Sequence, residues 1–236
     1  DEHTGQYYLH HFYSHQPDLN FGNPAVRDEL AKIAGFWLEL GFDGFRVDAV
    51  PYLVEASDRP EHSAHELHDL LKELRAFVTR RRGDAMLLGE VNLPPNRLVE
   101  YFGDHLGDQM HQLFDFPLMQ ATHLALARCR AGPVVEALRA TPDIPDECQW
   151  ATFLRNHDEL TLDQLGERER QDVFDAFAPD DDMRLFGRGI RRRVPPMLEG
   201  DDQRVRMAYS LMLSLRGSPV LFYGEEIGMG EQLAIP

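Results

Sequence analysis

Apolar runs of strand length alternate with helical patterns along most of this 236-residue chain. The runs are GFDGFRVDAV (41–50), AMLLGEV (85–91), HQLFDFPLM (111–119), WATFLRNHD (150–158) and SPVLFYGEE (218–226). Parallel strands need a long crossover, usually a helix, and the segments between these runs are long enough to supply one. The alternation therefore predicts an α/β fold with five parallel strands, and the length suits one sizeable domain.

Two of the helices are marked by their ends. Asn23 is a good N-cap with Pro24 at the first helical position, and apolar residues then recur at steps of three and four until Gly41. Ser63 and Glu66 form a capping box at the start of a second amphipathic pattern. Both helices are predicted to cross between strands.

Residues 163–200 interrupt the alternation with charge-rich sequence. Phe174, Phe177 and Phe186 offer apolar anchors, so we interpret the segment as an excursion on the loop side of the fold and not as a linker. The arginines of RGIRRR (188–193) are predicted to lie on a solvated loop and to pair with the acidic run at 180–182, with an anion site as the alternative.

Composition argues against several classes of protein. Forty acidic residues against 24 basic ones give a net charge of -16, which opposes binding to nucleic acid and to anionic membrane surfaces. The sequence contains no apolar run of about 18 residues, the length that a membrane-spanning helix needs. Cys129 and Cys148 are too few for a disulfide framework, and we expect small buried or half-buried thiols.

The start lacks an initiator methionine and an apolar signal region, so we expect the chain to begin inside a gene product. The sequence assigns no oligomeric state.

Three carboxylates each follow a predicted strand: Asp48, Glu90 and Asp158. In a parallel α/β barrel the catalytic groups lie at the carboxyl ends of the strands. A lone carboxylate there is more often a helix cap or an ion-pair member, but three in succession are harder to explain in that way. Convergent carboxylates without a cofactor suit cleavage of a glycosidic bond, where one acid protonates the leaving oxygen and another attacks the sugar.

Arg46 and Asp48 share one face of the first strand, because side chains two positions apart point the same way. Arg46 would lower the pKa of Asp48 and keep it ionised as a nucleophile. Burial among apolar neighbours would raise the pKa of Glu90 and suit that residue to act as an acid. The two environments thus predict different roles, that of nucleophile for Asp48 and that of acid for Glu90.

The segments GFRVDAV, LLGEVN and FLRNHDE have the order and spacing of the signature regions of the α-amylase superfamily, glycoside hydrolase family 13, which the chain resembles over nearly its whole length. The resemblance implies that Asp48 is the nucleophile, Glu90 the general acid/base and Asp158 the stabiliser of the transition state. It also implies that Arg46 supports the nucleophile and that His157 hydrogen-bonds the sugar.

Finer matches indicate a branch of that family. QPDLN (16–20) looks like a motif of the oligo-1,6-glucosidase branch, and CQWATFLRNHDELTL and GIRRR look most like the trehalose synthases, which isomerise maltose to trehalose. Ala49 is the small residue that this branch pairs with α-1,4 preference. The resemblance therefore implies a retaining enzyme acting on a small α-glucoside such as maltose, with an α-glucosidase or α-amylase-type hydrolase as the alternative. It also implies a cytoplasmic location and no cofactor for the chemistry, and it leaves a structural calcium ion open.

The same resemblance implies part of a TIM (β/α)8 barrel, about strands 4 to 8 of the catalytic domain. Residues 1–22 would be the end of the inserted B domain, and residues 23–236 the C-terminal part of the barrel. We therefore expect a piece of a longer protein, which alone would leave strand edges and apolar surface open.

Other patterns allow two interpretations. The histidines of LHHFYSHQPD (9–18) could bind a metal, but adjacent histidines rarely share one tetrahedral site, and no metal ligand is assigned. Tyr101 and Phe102 either stack on a glucose ring or pack a helix end. Outside enzymes, the alternative is a scaffold like the heavy chains of amino acid transporters, which resemble this family. The complete set of three acids favours an enzyme.

Overall fold

The structure, a computed structural model, describes residues 3–53 and 60–233, and in the second range it describes side chains from residue 66 onward. Its α-helices are α1 (Pro24–Glu39), α2 (Pro60–Arg81), α3 (Pro95–Leu98), α4 (Phe116–Arg128), α5 (Gly132–Ala140), α6 (Glu167–Phe177), α7 (Val194–Met197) and α8 (Asp202–Ser214). Helix α2 begins ahead of its predicted start, and the side chain of Ser63 in the predicted capping box lies outside the described residues.

The strands are β1 (Gly44–Val47), β2 (Met86–Gly89), β3 (Gln112–Phe114), β4 (Gln149–Phe153), β5 (Leu160–Thr161), β6 (Arg184–Leu185), β7 (Gly189–Ile190) and β8 (Ser218–Val220). One sheet has the order β1-β2-β3-β4-β8. Its pairings β1–β2, β2–β3 and β4–β8 are parallel. The predicted α/β fold with five strands is therefore confirmed, and strands that follow one another in sequence order match a segment of a parallel barrel.

The chain folds into two compact units, of which the first comprises Asp1–Val91, Glu100–Leu113 and Ile144–Cys148. Helix α1 begins there as predicted, because Asn23 accepts the backbone N–H of Ala25 at 3.0 Å and Pro24 follows the cap. The helix packs on α2, and Phe36 in the helix and Leu40 just after it are exposed, at 55% and 60%.

The second unit comprises Asn92–Val99, Phe114–Asp143 and Gln149–Pro236. Helix α4 is nearly all buried, and Asp115 caps it by accepting the N–H of Leu118 at 3.0 Å. The short strands β5, β7 and β6 form an antiparallel sheet within the excursion. Phe174 and Phe177 are buried as predicted. Phe186 is not an anchor: it lies in the turn between β6 and β7, has a φ of 54° and is 60% exposed.

The arginine-rich segment also differs from its prediction. Arg192 and Arg193 do not pair with the acidic run on a solvated loop; they are mostly buried and pair with Glu231 and Glu225, at 2.7 and 2.8 Å. Arg188 instead faces Glu159 and Asp163, at 3.9 and 3.4 Å. The sequence places the arginines near the acidic run, but the fold supplies partners from more distant segments, both earlier and later in the chain.

Candidate active site

Asp48 and Glu90 lie side by side because they follow neighbouring parallel strands in register. Val47 is paired with Gly89, and the next residues along the two strands are the two acids. The N–H of Glu90 donates to the carbonyl of Val47 at 3.0 Å, and the N–H of Val50 donates to the carbonyl of Glu90 at 3.1 Å. Since neighbouring strands lie about 4.8 Å apart, both carboxylates start from adjacent backbone positions.

One guanidinium nitrogen contacts both acids. Arg46 Nη2 lies 2.8 Å from Asp48 Oδ1 and also hydrogen-bonds Glu90 Oε2. Two oxygens within hydrogen-bond reach of the same nitrogen are at most about 6 Å apart. The sequence predicts the pairing of Arg46 with Asp48, and the register of β1 and β2 adds Glu90. The side chain of Glu90 is 19% exposed and that of Asp48 is 72% exposed, so Glu90 is the more enclosed of the two acids.

The backbone on either side of the acids is constrained. Ala49 has φ 43° and ψ 45°, the left-handed conformation that costs a non-glycine residue about 1–2 kcal/mol. Gly89, just before Glu90, leaves no room for a side chain, because a Cβ there would lie 2.7 Å from the side chain of Leu113. Strained or crowded backbone of this kind recurs at functional sites.

The third acid lies in a turn of the second unit. Strand β4 ends at Phe153, and residues 156–158 then form a turn in which Asn156 Oδ1 accepts the N–H of Asp158 at 3.2 Å. His157 Nε2 lies 3.2 Å from Asp158 Oδ2, and the two side chains are 56% and 49% exposed. The structure thus places two predicted site residues together here, and three others in the first unit.

Arg155 is a residue that the sequence reasoning missed. Its side chain is buried behind the turn, and burial lowers its pKa to about 10. Nη1 donates to the carbonyl of Asn156 at 2.7 Å, and Nε donates to the carbonyl of Arg192 at 2.9 Å. The signal was present in the sequence, since a charged residue between an apolar strand and a polar turn needs specific partners.

The open interpretation of Tyr101 and Phe102 is answered by their burial. Tyr101 and Phe102 are buried, at 5% and 0% exposure, so they pack inside the first unit and offer no free face to a sugar. His11 hydrogen-bonds Asp18 through Nδ1. Among the side chains that the structure describes, those of residues 3–53 and 66–233, no three His, Cys, Asp or Glu are grouped as metal ligands would be. Cys129 is exposed and Cys148 is buried, and neither forms a disulfide.

The family model for the alpha-amylase catalytic domain matches residues 1–175. The chain belongs to the alpha-amylase family. Membership of that family agrees with the parallel strands and with the acids at their carboxyl ends. In the part of the chain that the structure describes, no helix is both long and apolar enough to cross a membrane.

Similar members of the alpha-amylase family include several trehalose synthases. The trehalose synthase of Pimelobacter sp. (strain R48) is 44% identical over 240 residues, which cover 99% of this chain and 42% of that protein. The trehalose synthase/amylase TreS of Mycobacterium tuberculosis (strain ATCC 25618 / H37Rv) is 46% identical over 228 residues, which cover 96% of this chain and 38% of that protein.

A solved structure shows the same architecture. The alpha-amylase from H. orenii has 26% sequence identity and a TM-score of 0.66, over 94% of this chain and 38% of that one. The chain therefore spans less than half the length of these relatives.

Proposed function

We propose that this chain forms part of the catalytic domain of a retaining α-glucosyl enzyme that interconverts maltose and trehalose by double displacement. Trehalose synthases at 44–46% identity over nearly the whole chain support that substrate pair. One structural observation carries the mechanism: Arg46 contacts both Asp48 and Glu90 at the ends of adjacent strands.

The spacing of the two carboxylates separates the two mechanisms of glycoside cleavage. Retaining enzymes hold their carboxyl groups about 5–5.5 Å apart, whereas inverting enzymes leave about 6.5–9.5 Å for a water molecule. A shared hydrogen-bonding nitrogen limits the separation of the contacting oxygens to about 6 Å. This limit supports double displacement.

In the first step Asp48 attacks the anomeric carbon of maltose while Glu90 gives a proton to the glycosidic oxygen. The glycosidic bond breaks, glucose leaves, and a covalent glucosyl ester forms on Asp48. In the second step the freed glucose turns and attacks through its anomeric hydroxyl group, whose proton passes to Glu90. The bond to Asp48 breaks, trehalose forms, and both acids return to their starting protonation states.

Three further residues assist the proposed reaction. Arg46 orients Asp48, because its Nη2 lies 2.8 Å from Oδ1 of that carboxylate. His157 hydrogen-bonds the sugar, and Asp158 stabilises positive charge at the anomeric centre. The double displacement uses no cofactor, and the location of the whole protein is proposed to be cytoplasmic.

Hydrolysis is the second candidate function. It is favoured by the name of the Mycobacterium tuberculosis relative, which describes a trehalose synthase and an amylase together. If water reaches the glucosyl ester before the retained glucose turns, glucose is the product. Closure of the pocket decides between the two outcomes.

The test is to incubate the whole protein with maltose and to identify the products by chromatography. Trehalose supports the isomerase, glucose alone supports the hydrolase, and unchanged maltose refutes both. Asp48→Asn should abolish turnover, and Glu90→Gln should slow it by about 10²-fold or more. Asp43→Asn is the matched control, since this nearby aspartate is 86% exposed and pairs with Arg82 away from the two acids.

A further inference from the structure

Arg155 is a buried cation beside the turn that carries Asp158. Its side chain is buried, and Glu225, then Asp158 and then Glu159 are the carboxylates that most favour its charge. Taking a guanidinium out of water is costly unless its donors find good partners. The positions of the hydrogen-bond partners of Arg155 therefore indicate the role of its guanidinium.

One guanidinium nitrogen of Arg155 contacts Asn156 at two oxygens. Nη1 donates to the main-chain carbonyl of Asn156 at 2.7 Å and approaches its side-chain oxygen at 3.4 Å. That same side-chain oxygen accepts the N–H of Asp158 at 3.2 Å. The amide oxygen of Asn156 thus lies between the guanidinium and the backbone of the acid, so a shift of Arg155 would shift Asp158.

The guanidinium is itself fixed from the opposite side. Nε donates to the carbonyl of Arg192 at 2.9 Å, and the Arg192 side chain is tied to Glu231 at 2.7 Å. Glu231 also accepts the N–H of Arg193 at 2.9 Å. Arg155 therefore links the turn to a segment whose position is set by buried ion pairs.

We propose that Arg155 is a positioning residue for Asp158, acting through Asn156 from the anchored segment 192–193. This inference rests on the proposed role of Asp158 in glycosyl transfer. Lysine cannot substitute fully, because a single ammonium does not donate in the two directions that Nε and Nη1 of one planar guanidinium reach.

A double-mutant cycle on maltose turnover by the whole protein tests the inference. Arg155→Met should lower kcat by about 10²-fold with a smaller change in KM, since misplacement by about 1 Å can cost that much. In an Asp158→Asn background the same substitution should have little further effect, because the acid it positions is already lost. Arg155→Lys should recover part of the rate, and it carries the cycle if the methionine variant does not fold.

Additive losses in the cycle would overturn the inference, as they would show a role independent of Asp158. Arg128→Met is the matched control. Arg128, at the end of α4, pairs with Asp172 of α6 at 2.7 Å and has no described contact with the turn. The variant should leave kcat unchanged.

Amide hydrogen exchange over residues 154–160 gives a readout that does not depend on turnover. It should quicken in Arg155→Met and not in Arg128→Met, because only the former removes the bonds that order the turn. Equal exchange in both variants overturns the positioning role. A wild-type protein that leaves maltose unchanged refutes the proposed function instead, and the exchange result still decides the role of Arg155.

Discussion

Protonation of His123 is predicted to destabilise the second unit as the pH falls. This histidine of α4 is 2% exposed, lies 3.0 Å from the carbonyl of Leu154 through Nε2 and packs edge-on against the ring of Phe177. Burial lowers its pKa from 6.5 to about 4. The unfolded chain therefore takes up the proton first, so the stability present above pH 6.5 is lost as the pH falls towards 4.

The size of this loss follows from the pKa shift. One pKa unit corresponds to about 1.4 kcal/mol, so a fall from 6.5 to about 4 corresponds to about 3 kcal/mol of unfolding free energy. That is a large part of the 5–15 kcal/mol that is typical of a folded domain. Asp115 works in the opposite direction, because burial raises its pKa to about 6. A variant of His123 is therefore needed to isolate the effect.

His123→Gln keeps a donor for the carbonyl of Leu154 and removes the titration. We would measure urea unfolding of the whole protein between pH 4 and pH 8 by fluorescence, beside wild type and the exposed-site control His105→Gln. The difference between wild type and His123→Gln should grow by about 3 kcal/mol from pH 7 to pH 4, while His105→Gln follows wild type. Parallel curves for wild type and His123→Gln would refute the reasoning.

Three further predictions concern backbone and capping residues, and each is measured by urea unfolding. Asp115→Asn keeps the cap on Leu118 and removes a buried ionisation, so it should stabilise the protein by up to about 3 kcal/mol above pH 6 and have little effect below pH 4; a flat difference across pH would contradict this. Ala49→Gly should stabilise by about 1 kcal/mol and Ala49→Val should destabilise, because Ala49 is left-handed; the reverse order would exclude strain there. Gly89→Ala should cost about 1–3 kcal/mol, since its Cβ would meet Leu113, and a wild-type midpoint would show that the site has room.

Local signals predicted most of the backbone. The cap at Asn23 and the stop near Gly41 bound α1 as expected, because caps and glycines act on their immediate neighbours. The five strands of the parallel sheet were also predicted, since alternating apolar runs and helical patterns leave few other topologies.

Side-chain partners were harder to predict, because they depend on the register of strands and on distant segments. Periodicity places Arg46 and Asp48 on one face, but only the pairing of β1 with β2 shows that Arg46 also contacts Glu90. Arg193 pairs with Glu225, 32 residues away, where the sequence favoured nearer acids. Charge pairing by proximity in sequence fails when the segment folds back into the core.

The most direct test of the central claim is to look for a glucosyl group on Asp48. A glucosyl fluoride, whose leaving group needs little help from an acid, should load the Glu90→Gln variant of the whole protein and leave it slow to turn over. Peptide mass spectrometry should then find one added glucosyl residue on the peptide that contains Asp48, and none in Asp48→Asn. An adduct on another residue, or turnover with inversion and no adduct, would contradict the double displacement.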